Sequence, residues 1–369
     1  MNKSKKIFNI NDLFKKQYQC GVISQGNNFT SVNLNRNYLK EICILLHNKI
    51  SVDEIKKHLN WTDNEIDNAL QTLLKEELIK KTDQNSYVST CMVISEEEGK
   101  IMFEESEKIA EEVVRLIEDK FKEIKSKTYS IGCFNSFTFE SISLFILSNV
   151  LLDTVQIHYI EELFLKSDRP NRNGMNYYFS IKENNENSKK EAFGIYGNMY
   201  RKYGEVAYGL YGNERLGINF HTIQSGLLKE YFSSSNITKP EEFKKYTLQE
   251  VINYHIDENY DFDKNLKEGL NRLGIMNNDK ICIPILNEMQ FMMLSDVAEV
   301  IKDDYIKIFE NNRKDLINYY KNTSYFNEVT FEEYFIWWYH IFYTKVTDIL
   351  IDRGRIKKPK TGNFGYIVM

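Results

Sequence analysis

Residues 38–94 read YLKEICILLHNKISVDEIKKHLNWTDNEIDNALQTLLKEELIKKTDQNSYVSTCMVI, and this stretch decides the fold reading. The run from Tyr38 to Leu46 is apolar enough for a buried helix. In the next segment Ile50, Val52, Ile55 and Leu59 recur at helical spacing and leave Lys56, Lys57 and His58 outward. A third helix follows, with Ile66, Ala69, Leu70, Leu73, Leu74 and Ile79 as one buried stripe and Asn64, Asp67, Asn68, Gln71, Thr72 and Lys75 on its opposite face. Ser51 precedes Glu54 by three residues and Thr62 precedes Glu65 by three, so the second and third helices each open with a capping box that satisfies otherwise orphaned amides. A short polar turn and the β-prone run YVSTCMVIS then predict strand, turn and strand.

The rest of the chain sets the frame around this segment. A length of 369 residues calls for two or three domains, and 42% hydrophobic residues with 24 Tyr and 23 Phe supply large cores rather than a disordered chain. The net charge of -5 excludes a protein that coats nucleic acid nonspecifically, so any phosphate contact must come from local patches. Cys20, Cys43, Cys91, Cys133 and Cys282 are scattered, with no CxxC pair, and read as reduced, mostly buried thiols of a cytosolic protein. The N-terminus has positive charge but no apolar run behind it, which argues against a secretory signal. Ile142 to Ile157 is apolar but interrupted by Ser148, Asn149 and Asp153, and reads as a buried core helix rather than a membrane span.

The predicted fold class is α+β. Residues 1–33 form a polar N-terminal extension with an apolar patch at Ile7, Phe8, Ile10, Leu13 and Phe14. Residues 34–95 form the three-helix and strand domain. Residues 96–127 form a linking helix whose stripe of Met102, Ile109, Val113, Leu116, Phe121 and Ile124 either pairs with a second chain or packs on its own C-terminal domain. Residues 128–369 form a mixed domain with a small antiparallel sheet and several long helices. There, Phe137 to Phe164, Thr222 to Phe232, Leu248 to Glu258, Met289 to Tyr320 and Phe331 to Asp352 read as helices. SDRPNRNG (167–174) is turn chemistry, NYYFSIKE and, after a polar loop, EAFGIYGNMYRKYGEVAYGLYGNERLGINF (191–220) read as successive antiparallel strands, and DKICIPIL (279–286) reads as one strand. Four Tyr-Gly steps, at Tyr196, Tyr203, Tyr208 and Tyr211, mark bulges or the close approach of another group.

Signals for catalysis are absent: there is no Walker loop, HExxH, GxSxG or strand-linked GxGxxG, so no catalytic residue or cofactor is assigned. His158 with Glu161 and Glu162, and His255 with Asp257 and Glu258, place metal-type donors together, but such clusters are common on solvated helix faces and no metal site is assigned. The aromatic concentration in FEEYFIWWYHIFYTKVTDIL (331–350) gives either a packed core or a pocket for a small-molecule or peptide effector. The candidate ligand-binding residues are Tyr196, Tyr208, Tyr211, Trp337, Trp338 and Tyr343, with Glu332, Glu333 or Glu205 to orient a polar or cationic group.

Three patches offer phosphate contacts: Lys56 and Lys57, Lys80 and Lys81, and the C-terminal Arg353, Arg355, Lys357, Lys358 and Lys360. Asp63, Glu65 and Asp67 oppose them at the front of the third helix, and residues 36–83 are electrically near neutral.

ISVDEIKKHLNWTDNEIDNALQTLLKEELIKKT resembles the helix-turn-helix and first wing strand of bacterial winged-helix transcription regulators of the ArsR and MarR type. The resemblance covers residues 34–95 and implies a cytoplasmic, often dimeric protein that binds double-stranded DNA, with a second domain that answers to a ligand. By this resemblance Asn64, Asn68, Gln71, Thr72 and Lys75 face the groove, the wing lies near Lys81 to Tyr87, and Lys56, Lys57 and Lys81 contact the backbone. Glu76-Glu77 stands where such proteins often carry a helix-ending glycine, and the metal-binding cysteine pair of the ArsR type is missing. The expectation is a DNA-binding transcription regulator, a homodimer without a membrane anchor. The alternatives are a module that docks a partner protein and an enzyme of unspecified reaction.

Overall fold

The computed structural model describes residues 9–25, 28–183, 195–213, 220–222, 227–257 and 259–369. The chain is mixed helix and sheet and divides into two compact units, each drawn from three separated segments. One unit comprises residues 1–107, 163–193 and 310–342; the other comprises 108–162, 194–309 and 343–369. Ile7, Phe8 and Glu258, named above, lie outside the described residues.

In the first unit the helices are α1 (Ile10–Lys15), α2 (Leu39–His47), α3 (Val52–Leu59) and α4 (Asp63–Lys75). Its strands are β1 (Tyr18–Ser24), β2 (Ile79–Lys81), β3 (Tyr87–Ser89), β4 (Met92–Ile94), β5 (Asn171–Arg172) and β6 (Met175–Glu183). Both expected capping boxes form, Ser51 with Glu54 and Thr62 with Glu65. Helix α4 ends with the Leu78 amide donating to Leu73 O and the Glu77 amide to Leu74 O, a double closure that requires left-handed backbone at Glu77, whose φ is 53°. The run YVSTCMVIS is two strands rather than one: β3 pairs antiparallel with β2, whereas β4 pairs parallel with β6. Strand β6 also pairs antiparallel with β1 and so sits at the centre of this sheet. Its alternation sends Tyr177, Phe179 and Ile181 into the core built by α2, α3, α4 and β1. Ser180 points the other way, toward Trp337, which packs so closely on β1 that a Cβ on Gly21 would lie 2.8 Å from the indole. NYYFSIKE therefore does not pair with the next strands in sequence, as expected, because its partners come from residues 18–24, 92–94 and 171–172.

The second unit is organised around a sheet of β7 (Tyr196–Tyr203), β8 (Val206–Asn213), β11 (Ile285–Leu286) and β12 (Asn363–Val368), in the order β11-β12-β8-β7. Strands β9 (Met276–Asn277) and β10 (Lys280–Ile281) form a separate small hairpin. DKICIPIL thus yields two short strands, interrupted at Pro284, which has no amide to donate. One face of the four-stranded sheet carries Tyr196, Tyr211, Phe364 and Tyr366 against the Phe139–Phe164 helix, where Phe145 meets Phe364 at 5.2 Å and Tyr366 at 4.7 Å between ring centroids. The other face carries Tyr203, Tyr208, Leu210 and Ile367 into a core with Phe220, Phe243, Val251 and Leu266.

The Phe139–Phe164 helix is long and apolar enough to cross a bilayer, yet 78% of its most apolar window is buried inside the protein. Much of it, Phe145–Thr154, is π-helical, a wide winding that occurs where Ser148, Asn149 and Asp153 turn inward.

Two long helices expected from the sequence are broken. Residues 96–125 fall into Glu96–Glu105, Glu107–Asp119 and Phe121–Ser130; at the first break the buried Ser106 hydroxyl donates to Phe103 O, an alternative to the helical ladder. Met102, Ile109, Val113 and Ile124 of the stripe are buried within this chain. Met289 to Tyr320 likewise resolves into Glu288–Met292, Leu294–Glu299 and Lys302–Lys321.

Candidate nucleic-acid interface

Helix α4 buries Ile66, Ala69, Leu70 and Leu73 and leaves its opposite side in solvent. Asn64, Asn68, Gln71 and Lys75 are exposed there, while Thr72 is half-buried and its hydroxyl donates to Asn68 O at 2.8 Å. Lys57 is exposed on α3, and Lys81 is exposed on β2 with its ammonium 6.0 Å from the Tyr87 ring centroid. Lys56 is committed elsewhere: its ammonium is hydrogen-bonded to Asp63, which ties α3 to the first turn of α4 and raises the Lys56 pKa.

Several of the opposing acids are engaged locally. Glu54 and Glu65 serve as the return arms of the two capping boxes, and the hydrogen bonds from Ser51 and Thr62 lower their pKa values. Glu76 is buried, accepting hydrogen bonds from Thr30 Oγ1 at 2.7 Å and Asn173 Nδ2 at 2.8 Å. Asp53, Asp63 and Asp67 remain as exposed carboxylates on α3 and α4.

The C-terminal basic stretch is largely neutralised. Arg353 pairs with Glu111 at 2.6 Å and Glu118 at 2.9 Å, Arg355 with Glu118 at 3.1 Å, and Lys357 with Glu140 at 3.2 Å. Lys358 and Lys360 are exposed. As a source of phosphate contacts the stretch shrinks to those two, because its arginines close onto the helix Glu107–Asp119.

The aromatic residues expected to line a pocket fall in both units. Trp337 and Trp338 belong to the first unit, and Tyr196, Tyr208, Tyr211 and Tyr343 to the second; all six are buried. Tyr343 OH donates to Tyr196 O at 2.6 Å, Tyr211 OH lies 2.6 Å from Ser148 Oγ, and the Tyr196 and Tyr211 rings stack at 5.8 Å. Those three tyrosines form filled, hydrogen-bonded core, so the packing alternative holds for them. Tyr208 lines a cleft, treated below. Glu333 is no ligand-orienting group: it is buried, accepts from the Phe179 amide at 2.9 Å and pairs with Arg172 at 2.6 Å. Glu332 is half-buried and Glu205 is exposed in the β7–β8 turn.

Sequence reasoning missed Arg172, placed in what looked like plain turn chemistry. Its guanidinium is buried and donates to Glu77 O and to Thr90 O as well as to Glu333. Cys43 and Cys91, 48 positions apart, also meet: burial and a hydrogen bond between the two thiols push Cys43 well up, and Cys91 Sγ lies 3.1 Å from Ser89 Oγ. No local pattern could announce either contact. Among the described residues no group of three His, Cys, Asp or Glu side chains is placed to hold a metal; His158 and Glu161 approach only to 3.8 Å. A cleft of about 330 Å³ lies beside α2, walled by Leu13, Phe14, Tyr18, Lys40 and Ile44.

No family model matches the chain, and neither a curated protein nor a solved structure is similar to it at a significant level.

Proposed function

We propose that the chain is a DNA-binding transcription regulator in which residues 38–94 act as a winged helix-turn-helix, α4 reading the major groove and the β2–β3 hairpin serving as the wing. One observation carries the reading. Asn64, Asn68, Gln71 and Lys75 stand exposed along one side of a helix whose other side is locked into the core and whose start is fixed by a capping box. Asn and Gln amides match the donor and acceptor pair on the adenine edge, and an exposed lysine suits guanine or phosphate. Lys57 and Lys81 would then lie against the backbone. Since this segment is close to neutral, one copy neutralises few phosphates and binds weakly, so useful affinity calls for two copies on a repeated site.

The test is fluorescence anisotropy of the full chain on duplexes selected from a random library. Expected are an enriched sequence, affinity that falls steeply with salt, and loss of the preference in Asn68→Ala and Gln71→Ala. Enrichment that survives both substitutions unchanged contradicts the assignment of α4.

A second reading is favoured by the exposed Asp63 and Asp67 at the front of the same helix: the face docks a basic segment of a partner protein. Capture of one protein and no duplex in the same selection would support it.

A further inference from the structure

Within the second unit a cleft of about 260 Å³ opens beside the sheet, just below the ~300–1,000 Å³ typical of small-molecule sites. Its wall combines Tyr208 and Leu210 of β8, Phe220, and Leu273 at the end of the Lys264–Arg272 helix with the polar Thr361 and Asn363. Its rim is cationic, with Arg272 and Lys360. Lys360 has no anionic partner among the described residues. Among the described residues Arg272 is paired with Glu268, at 2.9 Å and with both side chains more than half exposed, a pair weak enough to exchange for another carboxylate. Tyr208 adds a third feature. Its ring is 1% exposed, and its hydroxyl is a polar group of a residue that lines the cleft. A hydroxyl can both donate and accept, so an occupant of the cleft that carries a polar group can pair with it.

The geometry points to a binding site for a small aromatic carboxylic acid. Its acid group is held by Arg272 and Lys360, its flat body lies against Phe220 and Leu273, and a polar ring substituent meets the Tyr208 hydroxyl. The charge on the rim selects acids over their neutral analogues, and the apolar part of the wall selects organic acids over inorganic anions. This site is argued independently of the duplex reading, and its test contains no DNA.

Calorimetric titration of the full chain with 4-hydroxyphenylacetate, phenylacetate, 4-hydroxyphenylacetamide and inorganic phosphate decides the matter. Expected are saturable binding of both acids, the hydroxylated one tighter, and the amide and phosphate at least roughly tenfold weaker. The double variant Arg272→Ala/Lys360→Ala, both surface positions, lowers affinity for the acids roughly tenfold or more, and Tyr208→Phe removes the advantage of the hydroxylated acid. Leu273→Trp fills the cleft and abolishes binding, with an unchanged melting temperature showing that the fold survives. The inference is overturned if neither acid gives a saturable signal, if the amide binds as tightly as the acid, or if the double variant binds both acids like the parent.

Discussion

The ring of Tyr366 lies across Gly209, its partner on the neighbouring strand, so closely that a Cβ at position 209 would sit 2.0 Å from the ring's Cζ. Tyr200 stands on the other side of the same glycine in strand β7, and its ring stacks with Tyr366 at 6.3 Å. Phe291 closes the group, stacking on Tyr200 at 5.7 Å and on Tyr366 at 6.3 Å. On the opposite face the relation is reversed. There the tyrosine comes from β8, and a Cβ on Gly365 of β12 would lie 2.4 Å from Tyr208 OH. Tyr208-Gly209 of β8 and Gly365-Tyr366 of β12 therefore interlock: each strand's glycine makes room for the other strand's ring.

Gly209→Ala should accordingly destabilise the protein by about 1–3 kcal/mol, since a ring wedged between strands cannot withdraw without disturbing its own stack. Gly197→Ala is the matched control. It lies in the same pair of strands, with nothing within 4 Å of its would-be Cβ, and should be neutral or slightly stabilising. Urea midpoints of the two variants check this, and equal midpoints would show that Tyr366 yields freely.

In the first unit, Arg172 and Glu333 are both buried and hold one another at 2.6 Å, while Glu333 also caps the Phe179 amide. Burial raises the Glu333 pKa, with the guanidinium and the Phe179 amide working against that rise. Arg172→Met strands a buried carboxylate and releases the carbonyls of Glu77 and Thr90, so it should cost about 3–5 kcal/mol. The double variant with Glu333→Met should cost clearly less than the sum of the single changes. Guanidinium unfolding of all four proteins gives the coupling, and additive costs would mean that the two residues act separately.

How much of this was legible beforehand follows from the range of the interactions. Helices α2 to α4 were readable because periodicity and capping are local; Ser51–Glu54 and Thr62–Glu65 span three residues each. Glu77 adopts the left-handed backbone that a glycine would ordinarily supply, so the usual marker for the end of α4 at Lys75 was missing, and Ile79, expected on that helix, begins β2 instead. The aromatic residues were harder. Trp337 and Tyr343 lie on one helix, and nothing in that helix tells which belongs to which unit. The Tyr-Gly steps did signal the close approach of another group, but the approaching ring is Tyr366, far along the chain. Arg172 met Glu333 across 161 residues, beyond any pattern a single sequence displays.

Stability should also carry a pH signature from Asp153, whose pKa burial raises from 3.8 to about 7 against its hydrogen bond with Tyr343. Between those values the unfolded chain has released this proton and the folded one retains it, so the Asp153 contribution to stability falls as pH rises across the window. His221 acts in the other direction: burial lowers its pKa from 6.5 to about 4, and its contribution is lost as pH falls through that range. Comparing Asp153→Asn with the parent cancels the histidine. The variant should gain on the parent by on the order of 2 kcal/mol between pH 5 and pH 8, because asparagine can hydrogen-bond Tyr343 without ionising. A constant difference across that range would show that Asp153 ionises normally in the fold.

The last prediction concerns the proposed reading head, where Lys56 is withheld from solvent partners by Asp63. Asp63 is 86% exposed and lies in the first turn of α4, so Asp63→Asn removes a charge without opening the core and keeps a residue suited to a helix start. If α3 lies along the duplex backbone, the freed ammonium becomes one more phosphate contact and a repelling carboxylate disappears. Affinity for the selected duplex should then rise several-fold at low salt, and the slope of log affinity against log salt should steepen by about one ion. Sequence preference should stay as it was, because phosphate contacts do not discriminate between bases. An unchanged slope would place Lys56 away from the backbone and favour the partner-protein reading, in which removing Asp63 instead weakens capture of a basic segment.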